Sequence, residues 1–147
     1  MHLIYLAAVI ESWKKTLTQF EEELISCEKE IERITKQRQR DDAPIRSYNQ
    51  INSDLHALDS HCLRYGTELG TTVSVITALQ KQHEEIAPLI GLSDPEMERT
   101  RTGFWRQLAE ANALARIQAE LAKKTSKTLE FVSERDEYLW MSSCLTI

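Results

Sequence analysis

Glycine and proline are scarce in this chain, at four and three among 147 residues. Few breakers mean few turns, so the regular elements are expected to be long. Long apolar runs are lacking too. The longest, Leu3–Ile10, falls well short of the ~20 residues that a membrane-spanning helix needs. It has no basic flank before it and no small-residue cleavage site after it, so it does not read as a signal peptide. The three cysteines, Cys27, Cys62 and Cys144, are far apart and show no CxxC spacing. That argues against a disulfide framework or a zinc ribbon and fits a reducing, cytoplasmic address. Nor is there an excess of positive charge. Lys and Arg number 7 against 9 Asp and Glu in residues 1–43, 3 against 5 in 44–92, and 8 against 9 in 93–147, which sums to the net −5. No segment carries the basic footprint of a nucleic-acid binder or the cationic face of a membrane-surface helix.

What is present is an ordinary soluble composition, 41% apolar and 28% charged, which argues for a folded core rather than disorder. The length predicts one domain, residues 1–147. Apolar side chains recur at Leu3, Leu6, Ile10, Trp13, Leu17, Phe20, Leu24, Cys27, Ile31 and Ile34, in alternating steps of three and four. Such a seam predicts a helix over about residues 3–40 with coiled-coil packing. Glu11 with Lys15 and Glu32 with Lys36 have the spacing of supporting ion pairs. Pro44 disfavours helical geometry at Ala43, and Asp42 is placed to cap the next helix.

A second helix is predicted over about 46–90. Its stripe runs Tyr48, Ile51, Leu55, Leu58, Cys62, Tyr65, Leu69, Thr72, Ile76, Leu79, His83, Ile86 and Ile90. Gly66 and Gly70 each cost about 1 kcal/mol relative to alanine, so the middle is expected to be soft or bent. Pro88 is expected to end or kink the last turn. A third helix, about 95–140, opens with Ser93-Asp94-Pro95-Glu96, the pattern of a capping box. Its apolar face (Phe104, Leu108, Ala111, Leu114, Ile117, Leu121, Thr125, Leu129, Val132) drifts toward a period of 3.6. Short links force antiparallel neighbours. The expected fold class is therefore all-α, an elongated antiparallel three-helix bundle.

Chemistry-bearing constellations do not converge. Asp54, His56, Asp59 and His61 are close in sequence, but His56 and His61 point about 140° apart on a helix, so no metal site is expected. His83-Glu84-Glu85 opens like His-Glu-x-x-His, yet position 87 is Ala87 and the second ligand is missing. The acidic stretch Glu21-Glu22-Glu23, Glu28, Glu30, Glu32 reads as a solvated flank. Gly66 and Gly70 have GxxxG spacing in polar company, which reads as a close helix approach or a flexible point. No catalytic residue, cofactor or metal is assigned, and the chain is not expected to be an enzyme. Trp105, one step from the core position Phe104, and Trp140, in the apolar stretch 138–147, are the candidates for partner-facing aromatics.

Glu11-Ser12-Trp13, then Leu17, Phe20 and Glu21-Glu22-Glu23-Leu24, resemble the cytoplasmic part of CorA-like proteins of filamentous fungi. Asp54-Leu55 through Leu58 to Ile76-Thr77-Ala78-Leu79 is similar to their long stalk segments. Leu129-Glu130-Phe131-Val132-Ser133-Glu134-Arg135-Asp136 resembles the end of the stalk before the membrane. The likeness covers most of the chain. The Gly-Met-Asn signature and both transmembrane helices are lacking, so the resemblance implies a membrane-less relative or a truncated one, and ion transport is not inferred from it. The expected function is a non-catalytic interaction or scaffold module that binds a protein partner or itself. Membrane contact is expected only if residues 138–147 begin a span. A regulatory domain of a divalent-cation transporter, or a trafficking-type bundle like that of syntaxins, are the alternatives.

Overall fold

The computed structural model describes residues 2–36 and 48–145, with side chains through Arg135. Three helices take up most of these: α1 His2–Lys36, α2 Tyr48–Ile86 and α3 Asp94–Leu145. Among the described residues there is no strand. The fold is an all-α three-helix bundle. The chain groups into two compact units, Met1–Thr18 with Arg64–Ala119 and Gln19–Leu63 with Glu120–Ile147. The expected end of the first helix near 40, the cap at Asp42–Pro44 and the start of the second helix near 46 lie outside the described residues.

The α1 stripe is buried as its spacing predicts. Leu6, Ile10, Leu17, Phe20, Leu24, Cys27 and Ile31 are inside, and Leu3, Trp13 and Ile34 are half-buried. One ion pair differs from expectation. Glu11 bonds Lys14 at 3.0 Å, and Lys14 also reaches Glu110 at 3.8 Å. Lys14 thereby meets two carboxylates from one position. The Glu32–Lys36 pair forms as expected, at 2.6 Å.

In the first unit, Leu6, Ile10 and Leu17 of α1 share the core with Leu69, Ile76 and Ala87 and with Phe104, Ala111 and Leu114. Leu3 lies against Gly103, and Lys14 faces Glu110, so α1 and α3 run parallel here. Gly66 faces Gln118, while Glu84 bonds Arg101 at 3.1 Å, so α2 and α3 run antiparallel. Trp13 packs edge-on against Tyr65, ring centroids 5.6 Å apart. Helix α2 is continuous through Gly66-Thr67-Glu68-Leu69-Gly70-Thr71-Thr72-Val73 despite the weak helix propensity of that stretch. Thr71, Thr72, Ser74 and Thr77 hydroxyls donate to carbonyls four residues back. Full burial of Leu69 and Ile76 contributes about 1.5–3 kcal/mol each, enough to offset two glycines at about 1 kcal/mol apiece.

The expected α2 stripe fails at its end. Ile86 and Ile90 are exposed, and Ala87 is buried in their place. Pro88 has no N–H to donate and crowds the carbonyl four residues back, so the helix stops at Ile86 instead of near 90. The chain then wraps through residues 87–91. Gly91 takes φ +72°, and the Leu92 N–H returns to the Ala87 carbonyl at 3.3 Å. This is the closing bond of a Schellman-type turn. The capping box then forms as its residues predict. The Glu96 N–H donates to Ser93 Oγ at 3.4 Å, and the Ser93 N–H donates to Glu96 Oε2 at 3.2 Å.

Helix α3 also departs from its expected stripe. Ile117 is 46% exposed, and the half-buried Gln118 takes its place opposite Gly66. Phe104, Ala111, Gln118, Thr125 and Val132 follow at intervals of seven, so the inward face keeps its register where a drift was expected.

The second unit is built from Phe20, Leu24, Cys27 and Ile31, from Ile51, Leu55, Leu58 and Cys62, and from Leu121, Thr125 and Val132. Thr125 is a fully buried polar residue whose hydroxyl donates to the Leu121 carbonyl at 2.7 Å. That bond removes the cost of burying an unpaired hydroxyl. Thr128 reaches across to Glu28 at 3.3 Å.

Candidate interaction surface

The first unit leaves large apolar side chains in solvent. Leu89 is 84% exposed, Ile4 78%, Tyr5 70%, Ile90 66% and Trp105 59%. Two causes place them there. Residues 3–10 are apolar on every side of α1, yet only one stripe, through Leu6 and Ile10, turns inward. The turn after α2 leaves the helical period at Pro88, and Leu89 and Ile90 follow it outward. Trp105 stands beside buried Phe104, on the flank where Arg101 bonds Glu84. Single exposed apolar residues are ordinary on a protein surface; neighbouring pairs such as Ile4-Tyr5 and Leu89-Ile90 are less so.

Trp105, placed at a boundary by its position one step off the core, is exposed. The side chain of Trp140 lies outside the described residues, as do those of the apolar stretch 138–147. Sequence reasoning missed Leu89, Ile90, Ile4 and Tyr5. A signal exists for the α1 pair, since an eight-residue apolar run exceeds what one stripe can bury.

In the second unit a groove of about 750 Å³ runs between α1 and α2, lined by Glu22, Glu23 and Cys27 and by Asp54, Leu58 and His61 among others. Asp54 and His61, seven residues apart, share this face, and neither His56 nor Asp59 joins them. Among the described residues no group of three or more His, Cys, Asp or Glu side chains is arranged to hold a metal ion. Glu21, Glu22, Glu23 and Glu28 are exposed, whereas Glu30 bonds Arg33 at 2.8 Å. In the first unit His83 is half-buried on its stripe, with its ring 5.8 Å from that of Phe104. No described helix is long and apolar enough to cross a membrane.

Of the two GxxxG glycines only Gly66 sits at a close approach. A Cβ there would lie 2.8 Å from Gln118 Nε2, whereas one at Gly70 would meet nothing within 4 Å. Gly103 makes the comparable approach on α3, where a Cβ would lie 2.7 Å from Leu3 Cδ1.

These features define an all-α three-helix protein with several exposed large apolar side chains on one unit. No family model, curated protein or solved structure matches the chain.

Proposed function

We propose that this protein is a non-catalytic helical-bundle module of the cytoplasm that binds a protein partner or a second copy of itself through its first unit. One observation carries the reading. Of the six described large apolar side chains that are more than half exposed, five belong to that unit, and only Leu63 belongs to the other. Buried on association, side chains of this kind contribute roughly 25 cal/mol per Å² of apolar area, and tryptophan and tyrosine are favoured anchors. The same surface leaves the bundle core intact, so docking needs no rearrangement of Leu69, Ile76 or Phe104. Likeness to a CorA-like stalk agrees with such a role and rests on the sequence motifs alone.

A photo-crosslinking residue placed at position 89 or 105 of the full chain in cells tests the proposal. A crosslinked species with another protein, or with the chain itself, is expected from one or both positions, and none from a control at exposed Lys123. Equal yields at all three positions, or no product at any, overturn it.

A further inference from the structure

We draw no further inference here: the strongest candidate, the groove between α1 and α2 of the second unit that Glu22, Glu23, Asp54 and His61 line, is a carboxylate cluster for which no second observation points to a ligand.

Discussion

The two units are built on different terms. All four glycines, Gly66, Gly70, Gly91 and Gly103, fall in the first, together with Pro88 and Pro95. It also carries the turn from α2 to α3 and, among the described residues, most of the exposed large apolar side chains. The second unit contains no glycine, and its described side chains bury Phe20, Leu24, Ile51, Leu55 and Leu58 on regular helical stripes. In it, intrinsic propensity and burial favour the same conformation. In the first unit they compete, and Leu69 and Ile76 hold helical a stretch that would be weak alone. A region that retains costly backbone positions and uncovered apolar groups is where binding is to be sought.

Core truncations should give the largest effects and should be comparable in both units. Leu69→Ala in the first and Leu55→Ala in the second each remove a fully buried leucine. Each is expected to cost about 2–5 kcal/mol in urea unfolding followed by circular dichroism. A loss below about 1 kcal/mol for Leu69→Ala alone, under the range for a buried leucine, would mean that the first core is less close-packed than the second.

The next contrast lies within the first unit. Gly91→Ala forces a side chain into the left-handed region and is expected to cost about 1–2 kcal/mol. Ser93→Ala removes one half of the capping box and should cost about 1 kcal/mol. Gly70→Ala should stabilise by up to about 1 kcal/mol, because the new methyl meets nothing. Gly66→Ala should gain less, since the Gln118 amide must move aside, and Gly103→Ala should gain least, since Leu3 must leave its place. Thermal midpoints in the order 70, 66, 103 would bear this out; an equal gain at all three would remove the two close approaches from the account.

Smallest of all should be the effect of the charged flank. The hydrogen bond from Lys36, followed by its charge, holds the Glu32 carboxyl below its usual range. A lowered carboxyl contributes stability above the unfolded-state range, and that contribution is lost as pH falls through the lowered value. Both partners are exposed, so solvent screens the pair. Glu32→Gln is expected to leave the unfolding midpoint at pH 7 unchanged within error.

Much of this fold is legible in the residues. A stripe as regular as that of α1 admits only one face, so Leu6 through Ile31 can be placed inside from the sequence alone. The Ser93–Glu96 box is equally readable, because its bonds are local. Periodicity does not reveal the places where a neighbour or the backbone intervenes. Gln118 displaces Ile117 because Gly66 opens room on the facing helix, a fact about two segments that no single stripe contains. Past Pro88 the helical period no longer applies, so Ile90 is expected inside and is found outside; Ile86, still within α2, is exposed because Ala87, one residue on, takes the inward position. Spacing within α1 favours Lys15 as the partner of Glu11 and does not reveal that Lys14 also reaches Glu110 on another helix. At the surface, Trp105 can be recognised by its offset from Phe104. The Leu89-Ile90 pair cannot, since its exposure follows from the turn.

Cys27 and Cys62, in no disulfide and shielded inside the second unit, give that half of the chain its own clock. A thiol at 1% exposure reacts with a labelling reagent only when its surroundings open, so the rate of modification reads the opening equilibrium directly. Cys144→Ser silences the third thiol, and Trp140→Phe leaves Trp13 and Trp105, both of the first unit, as the only indoles. Thiol labelling then times the second unit while fluorescence follows the first, in one sample and with no foreign label built into the chain.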